Sequence, residues 1–420
     1  MNKKIYKELL SIAFPAMGEN LLQMMMGMVD SYLVASLGIV ALSGVSIANN
    51  LLAVYQAVFI ALAAAVSSQL ANVLGKEKGM QITAIVTDSV KLTVYVGVFL
   101  GILAVILGPT LLTSLGAERE VAQLGGLYLI LVGGSILLLG LMTCLGGILR
   151  TLGQPRYPMY ISLFSNLLNA VFSAIAVFVL HTGVAGVAFG TILSRIVECG
   201  LLWSRLSISI KPSTWSVDKE LVRLALPAIG ERLMMRAVVI VGMITSLGTA
   251  VVAGNAIGET ITQFNYMPTL GISVATLIMT AKSRQDSLAV QRIYRIGLGL
   301  SLIFMFVIGG ISYLAGPSLI SLFTMDVQVA QASQTVLLYS VLGVPFTAAT
   351  LVFTGLWQGM GNARLPFYAT GIGMWVVRIG LAYFLIKNYQ LGLPSIWLAT
   401  IVDNAFRASL LYVRFRYATG

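Results

Sequence analysis

The sequence predicts an all-α polytopic membrane protein whose roughly twelve transmembrane helices form two six-helix lobes. Composition, the length of the apolar segments and an internal repeat carry this prediction. Of the 420 residues, 58% are hydrophobic and only 10% are charged, which lies outside the usual range of soluble domains. The apolar runs are long and unbroken, whereas a membrane β-barrel shows short alternating segments.

The apolar runs are each close to the ~20 residues that an α-helix needs to cross a bilayer. The predicted spans are about 12–34, 45–71, 86–107, 123–147, 158–180, 184–205, 222–246, 252–281, 293–315, 330–356, 367–387 and 394–414. The longest connection divides them six and six. We therefore expect an N-terminal lobe at 1–208, a cytoplasmic linker at 209–221 and a C-terminal lobe at 222–420.

The net charge of +11 would suit a nucleic-acid partner, but the distribution of the charge argues against one. Basic residues concentrate in alternate short loops, which is the pattern that sets membrane orientation. One side carries Lys3 to Lys7, Lys76 and Lys78, Arg150 and Arg156, Arg205 to Arg223, Lys282 to Arg295, Arg364, Arg414 and Arg416. The other side has little more than Arg119 and Lys387. The pattern predicts cytoplasmic termini in the cell (inner) membrane and no nucleic-acid partner.

The two halves of the chain repeat each other at a nearly constant spacing. Pro15-Ala-Met-Gly-Glu recurs as Pro227-Ala-Ile-Gly-Glu 212 residues later, Gly153-Gln-Pro-Arg recurs as Gly361-Asn-Ala-Arg at 208, and Thr191 recurs as Thr400 at 209. Such a spacing indicates duplication. Because six spans is an even number, we expect the lobes to share one orientation about an axis along the membrane normal, with a cavity between them and alternating access.

Helix 1 carries a polar stripe through an otherwise apolar span. At 100° per residue, Glu19, Gln23 and Asp30 share one face. A carboxylate in mid-bilayer costs about 2.5–3.5 kcal/mol, so it faces a bundle interior or a water-filled cavity. It is either a structural carboxyl paired inside the bundle or part of a coupling-ion or substrate site, and we favour the site. Asp30 lies near mid-helix, where removal from water favours the protonated carboxyl.

Other charged residues also fall inside predicted spans. Glu231 is the repeat partner of Glu19, and it either lines a substrate cavity with Glu19 and Gln23 or neutralises one of three arginines of its own lobe, Arg232, Arg236 and Arg378. Two pairs have the spacing of structural ion pairs on one helix, namely Asp403 with Arg407 and Arg195 with Glu198.

These motifs together resemble the MATE (multidrug and toxic compound extrusion) family, within the MOP flippase superfamily. The resemblance covers nearly the whole chain and is closest to the prokaryotic DinF-like branch. The residues that carry it are Pro15 to Asp30, Arg150-Thr-Leu-Gly-Gln-Pro-Arg156, Asn166-Leu-Leu-Asn169, Gly186-Val-Ala-Phe-Gly-Thr191, Trp375 to Arg378 and Gly392 to Thr400. The resemblance implies a secondary antiporter that exports amphipathic organic cations, driven by inward H⁺ or Na⁺ flow.

The resemblance also implies roles for particular residues. Asp30 matches the coupling aspartate, and Asn169 and Thr191 match neutral ligands of a Na⁺ site, so Asp30, Asn169 and Thr191 would bind the metal if Na⁺ is the coupling ion. Where the family has a second aspartate, this chain has Ser173. The loss of that carboxylate favours proton coupling without excluding Na⁺.

We expect no cofactor beyond the transported H⁺ or Na⁺, and a monomer whose partners are the lipid bilayer and small organic cations. Enzymatic activity is not expected, because the chain has no histidine cluster, no Walker spacing and no nucleophile–base set. The alternative function is a flippase for lipid-linked precursors or polysaccharides from the same superfamily. Such proteins tend to have cationic cavities, and the arginines of the C-terminal lobe keep this alternative open.

The predicted orientation can be tested by labelling single cysteines in a chain whose two native cysteines are replaced by alanine. A membrane-impermeant maleimide added to intact cells should label cysteines placed at Arg119 and Lys387 but not one placed at Lys76. Labelling at 76 and 119 from the same side would contradict the topology.

Overall fold

The structure, a computed structural model, describes residues 2–75, 79–114, 118–206, 218–235, 243–244 and 247–419. The regular elements within these ranges are all helical, and no strand occurs among them. The predicted all-α class is confirmed. Some sequence predictions concern residues outside the described ranges: Lys76 and Lys78, Arg236, most of the linker at 209–221 and part of the span at 222–246.

The first half of the chain is built from long helices. They are α1 (Asn2–Ala35), α2 (Ile39–Gly75), α3 (Gly79–Ser114), α4 (Arg119–Tyr128), α5 (Ile136–Thr151), α6 (Arg156–Phe178) and α7 (Gly183–Ser204). A π-helical segment, Leu129–Gly133, joins α4 to α5.

The second half follows a similar order of helices, with an extra short helix and a π-helical segment at a different position. Its helices are α8 (Lys219–Met234), α9 (Thr249–Lys282), α10 (Ser287–Leu314), the short α11 (Gly316–Ser321), α12 (Val327–Leu342), α13 (Val344–Gly359), α14 (Arg364–Ile372), α15 (Ile379–Tyr389) and α16 (Leu393–Thr419). A π-helical segment, Gly373–Arg378, lies between α14 and α15. Asp286 and Asp326 begin α10 and α12 by accepting hydrogen bonds from backbone N–H groups of the first turn.

The backbone repeats together with the sequence. The pair α4–α5 is bent by 45° and the pair α12–α13 by 60°, and the second pair begins 208 residues after the first. The residues with positive φ also come in pairs 208 to 210 residues apart: Gly38 and Gly248, Gly153 and Gly361, His181 and Gln390, Gly183 and Gly392. Because positive φ is uncommon for residues with a side chain, the match at His181 and Gln390 indicates duplicated turns.

Seven helices in the described part of the chain are long and apolar enough to cross a membrane, and the number reaches nine if each bent pair is one span. This agrees with a multi-pass membrane protein. Helices α1 and α9 have 34 residues each, about 51 Å at 1.5 Å per residue, but both carry polar residues in their interior. Since α8 ends beside residues that are not described, the total of twelve spans stays a prediction.

The chain forms two compact units. The N-terminal unit is Gly18–Ala225, and the C-terminal unit is Met1–Met17 with Leu226–Gly420. The start of α1 packs in the C-terminal unit because Gly271 of α9 leaves room there: a Cβ on Gly271 would lie 2.8 Å from the Ala13 carbonyl oxygen. Phe14 also contacts Phe304 edge-to-face at 6.2 Å between ring centroids.

Each unit has its own apolar core. In the N-terminal unit, buried side chains of α2, the first π-helical segment, α5 and α7 pack together, among them Leu52, Leu129, Ile136 and Val187. In the C-terminal unit the largest aromatic group surrounds Phe353, which stacks on Tyr294 at 5.2 Å. These cores hold the helices that carry the polar residues described next.

Candidate functional site: buried charges in two units

Asp30 of α1 belongs to the N-terminal unit and interacts electrostatically with Arg195 of α7. Its Oδ1 atom is buried and has no hydrogen-bond partner in the described part of the chain. A buried polar atom without a partner costs about 1–3 kcal/mol. This oxygen can therefore accept a proton, a metal ion or the positive group of a ligand at little further desolvation cost.

Arg195 does not form the local ion pair with Glu198 that its spacing suggested. It interacts electrostatically with Tyr128 and Asp30 as well as with Glu198, and no ion pair within 4.0 Å joins it to Glu198 among the described residues. The predicted Arg195–Glu198 ion pair is therefore not formed, and Arg195 instead lies in a wider electrostatic group with Tyr128, Asp30 and Glu198.

Asn169, Ser173 and Thr191 lie together between α6 and α7. The Ser173 hydroxyl donates to Asn169 Oδ1 at 3.0 Å, and Asn169 Nδ2 donates to Thr191 Oγ1 at 3.4 Å. All three side chains are buried. The helices approach closely here because Gly190 has no side chain: a Cβ on Gly190 would lie 2.8 Å from Ser173 Oγ.

Tyr128, at the end of α4, connects this polar cluster to Asp30. The tyrosine is only 3% exposed, and it interacts with the Thr191 side chain, with Arg195 and with Asp30. The sequence reasoning missed Tyr128. The signal that could have found it is physical: a tyrosine buried inside a membrane span needs a partner for its hydroxyl.

The fit of this cluster to Na⁺ is limited by its present hydrogen bonds. Asn169 Oδ1 already accepts from Ser173, and Thr191 Oγ1 donates to the Val187 carbonyl at 3.0 Å while accepting from Asn169. Sodium would also have to compete with Arg195 for the carboxylate of Asp30. The oxygen atoms suit a hard cation, but those of Asn169 and Thr191 already take part in hydrogen bonds.

Glu19 and Gln23 have different surroundings from Asp30. Glu19 Oε2 forms an ion pair with Arg150 Nη1 of α5 at 2.5 Å, and both side chains are largely buried. Glu198 lies near enough to interact electrostatically with Glu19. Gln23 is half-buried. The sequence left two interpretations of the polar stripe on helix 1, a paired structural carboxyl or part of a coupling-ion or substrate site. The contact that Glu19 makes is that of a paired structural carboxyl.

Glu231 lies in the C-terminal unit and is 3% exposed. Gln358 Nε2 donates to its Oε2 at 3.3 Å, and Arg232 and Arg407 interact with it electrostatically. Arg378 has a different counterion, because its Nη2 lies 2.7 Å from Asp403 Oδ2.

The pairing of Asp403 with Arg407 predicted from their spacing is confirmed. Arg407 Nε lies 3.0 Å from Asp403 Oδ1, and Arg407 Nη2 donates to Asp403 Oδ2, also at 3.0 Å. Asp403 therefore forms ion pairs with two guanidinium groups, that of Arg407 on its own helix and that of Arg378.

A sequence model of the MatE family matches residues 15–175 and 227–384. The chain belongs to the MatE family. The two matched segments contain Asp30, Asn169 and Glu231 and correspond to the two halves of the repeat. The resemblance stated from the motifs is therefore confirmed, and the protein is a multi-pass membrane transporter and not an enzyme.

Relatives and solved structures match along nearly the full chain. The "Probable multidrug resistance protein NorM" of Thermotoga maritima is 30% identical, and the match covers 98% of this chain and 92% of the relative. The "Uncharacterized transporter YisQ" of Bacillus subtilis is 22% identical over 97% of this chain and 93% of its own.

The fold is the same as that of solved MATE structures. The outward-facing conformation of a multidrug resistance MATE family transporter superposes with a TM-score of 0.91 at 21% identity, covering 99% of this chain and 96% of that one. A MOP superfamily transporter from Pyrococcus furiosus, whose description refers to a reversed polarity of the binding pocket, superposes with a TM-score of 0.90 at 21% identity, with the same coverage.

The ion pair between Glu19 and Arg150 can be tested by a double-mutant cycle. We expect Glu19→Gln and Arg150→Gln each to lower the apparent Tm of the purified protein, because each leaves a largely buried charge without its counterion. The double variant should be destabilised by less than the sum, with a coupling energy of about 0.5–3 kcal/mol. The exposed Glu118→Gln is the matched control and should change little. Additive effects of the two substitutions would contradict the pair.

Proposed function

We propose that this MatE protein is a multidrug efflux antiporter that exports amphipathic organic cations by alternating access, driven by inward proton flow through Asp30. We place it in the cell (inner) membrane as a monomer with both termini in the cytoplasm. The multidrug resistance description of the Thermotoga maritima relative supports the substrate class. The observation that carries the coupling proposal is the buried Oδ1 of Asp30, which has no hydrogen-bond partner among the described residues.

The formal charges around Asp30 support an exchange of a proton for an organic cation. Asp30, Arg195 and Glu198 form one electrostatic group, with two carboxylates and one guanidinium when both acids are ionised. The group then has one excess negative charge and attracts a cation. Protonation of Asp30 leaves Arg195 balanced by Glu198, so the attraction disappears. A loss of about 1.4 kcal/mol weakens binding tenfold, so protonation of Asp30 is sufficient to favour release.

In this proposal the Asp30 carboxyl is oriented by four neighbouring side chains, those of Asn169, Ser173, Thr191 and Tyr128. Their hydrogen-bonded cluster can orient the Asp30 carboxyl through Tyr128, and the hydroxyl oxygens can accept a hydrogen bond from the protonated acid. Ser173 in place of a second carboxylate and Arg195 beside Asp30 both disfavour Na⁺, because a small cation needs more negative charge from its ligands. We therefore propose H⁺ as the coupling ion. Glu19 and Gln23 would contact substrate only if the Glu19–Arg150 pair opens.

The flippase alternative receives less support. It predicts a strongly cationic cavity, whereas the arginines of the C-terminal unit occur with carboxylates. Arg378 and Arg407 share Asp403, and Glu231 is beside Arg232. Three guanidinium groups beside two carboxylates leave a single excess positive charge, which suits drug-like molecules of mixed polarity better than a lipid-linked polyanion.

The test replaces the carboxyl of Asp30 with an amide of the same shape. In inverted membrane vesicles with an imposed pH gradient, Asp30→Asn should reduce uphill transport of tetraphenylphosphonium at least tenfold, because the amide cannot cycle charge. Asp286→Asn makes the same chemical change at the N-cap of α10, where Asp and Asn are nearly equivalent, and should transport like the parent.

The coupling ion is tested in the same vesicles. Dissipating the pH gradient should abolish uphill transport, and removing the Na⁺ gradient should not. Transport by Asp30→Asn at the parent rate would exclude Asp30 as the coupling residue, with Glu231 as the next candidate. Transport that needs Na⁺ and ignores the pH gradient would replace H⁺ by Na⁺ in the proposal.

A further inference from the structure

The C-terminal unit contains a cavity of about 350 Å³. Its volume is within the range of sites for small organic molecules, about 300–1,000 Å³. The lining combines apolar side chains with an unusual number of charged ones. The charged ones are Arg232, Arg378, Arg407, Glu231 and Glu259, and Trp397 also lines the cavity. The cavity belongs to one unit alone, and the coupling proposal for Asp30 makes no use of it.

One end of the cavity carries an excess positive charge. Arg378 and Arg407 both pair with Asp403, and Arg232 and Arg407 interact with Glu231. Three guanidinium groups thus meet two carboxylates. Because unbalanced buried charge is costly, this end of the cavity favours a ligand that brings a negative charge.

Arg378 is the guanidinium best placed to bind that charge. Its side chain is 15% exposed, compared with 4% for Arg407. Its Nε is buried and has no hydrogen-bond partner among the described residues. Asp403 also has a second counterion in Arg407, one turn along α16 at 3.0 Å. A planar guanidinium has five N–H donors and recognises a carboxylate through parallel N–H···O bonds, so Arg378 can bind a ligand carboxylate while its Nη2 stays on Asp403.

The other end of the cavity carries the opposite charge. Glu259 of α9 is exposed and forms none of the ion pairs found among the described residues. Asn255 Nδ2 donates to Glu259 Oε1 at 3.1 Å, and Trp397 Nε1 donates to Asn255 Oδ1, also at 3.1 Å. Glu259 and Trp397 both line the cavity and are linked through Asn255, and a carboxylate and an aromatic ring each attract an ammonium group.

Tyr266 connects the two ends. It lines the cavity and interacts electrostatically with both Glu259 and Arg378. The tyrosine therefore lies within reach of the negative end and the positive end, and the apolar walls near it include Leu270 and Ile396. An aromatic or aliphatic body with an acid at one end and an amine at the other would match this order of groups.

We propose that the cavity of the C-terminal unit binds zwitterionic organic molecules, with the ligand carboxylate on Arg378 and the ligand ammonium group between Glu259 and Trp397. The site occupies the place in the repeat that corresponds to the Asn169–Thr191 cluster, since Arg378 and Thr400 each follow their counterparts by 209 residues. The two halves of the duplicated chain would then differ in ligand chemistry: the N-terminal unit responds to a single positive charge, and the C-terminal unit to a separated pair of charges.

Three matched probes test the proposal by calorimetry on the full-length protein in detergent. They are 4-(aminomethyl)benzoate, its methyl ester and 4-methylbenzoate, which present both charges, only the ammonium group and only the carboxylate. We expect the zwitterion to bind at least tenfold more tightly than either of the others. Equal affinities for the three probes, or no binding of the zwitterion, would overturn the proposal.

Two variants assign the ends of the ligand. Arg378→Gln should weaken binding of the zwitterion and of 4-methylbenzoate at least tenfold and leave the ester unchanged, because Asp403 keeps Arg407. Glu259→Gln should weaken the zwitterion and the ester and leave 4-methylbenzoate unchanged. Lys387→Gln removes a positive charge outside the cavity and should affect no probe. If Arg378→Gln does not fold, Glu259→Gln still tests whether the ammonium group binds at Glu259. Parent-like affinity of either variant for the zwitterion contradicts the assignment.

Discussion

A charge inside a membrane helix must be neutralised by a neighbour, and this requirement organises both units of the protein. The bilayer supplies neither water nor counterions, so an unpaired charge at mid-helix costs several kcal/mol. Glu19 is neutralised by Arg150, and Asp403 by Arg378 and Arg407. Against this background Asp30 differs, because it forms none of the ion pairs found among the described residues and its buried Oδ1 has no hydrogen-bond partner among them. The fold holds that oxygen in place, and protonation or a bound cation would relieve its cost.

The duplicated chain has kept its turns and changed its charges. The paired positive-φ positions preserve the geometry at which helices reverse direction, and the bent pairs α4–α5 and α12–α13 preserve the helix breaks. Within this common frame, Asn169 corresponds to Arg378 and Glu198 corresponds to Arg407 at a spacing of 209 residues. One scaffold therefore presents a buried carboxylate and a neutral hydrogen-bonded cluster in one unit and a cavity with two charged ends in the other.

The sequence was sufficient to predict several features that depend on local pattern. Helix type, the internal repeat and the Asp403–Arg407 pair follow from composition, from spacing and from neighbours one helical turn apart. Contacts across long stretches of chain could not be predicted in this way. Arg150 looked like a loop residue that sets orientation, yet it neutralises Glu19 from 131 residues away.

In the candidate site, too, motif residues could be predicted from the sequence and contacts between distant parts of the chain could not. The resemblance indicated Asp30, Asn169, Ser173 and Thr191, but Tyr128 belongs to no motif used in the sequence reasoning and enters the cluster only because α4 packs beside α7. Arg195 was assigned to Glu198, its neighbour along the helix, whereas the structure also brings it to Asp30. Local spacing suggests partners on the same helix. The packing between helices decides which side chains actually come into contact.

The central claim is that a proton and an organic cation exclude each other at Asp30. The most direct measurement is the number of protons released when tetraphenylphosphonium binds to the purified protein, obtained by calorimetry in buffers of different ionisation enthalpy. We expect the parent protein to release protons, up to one for each cation bound, and Asp30→Asn to release none. Binding without proton release by the parent at every pH tested, or equal release by parent and variant, would contradict this claim.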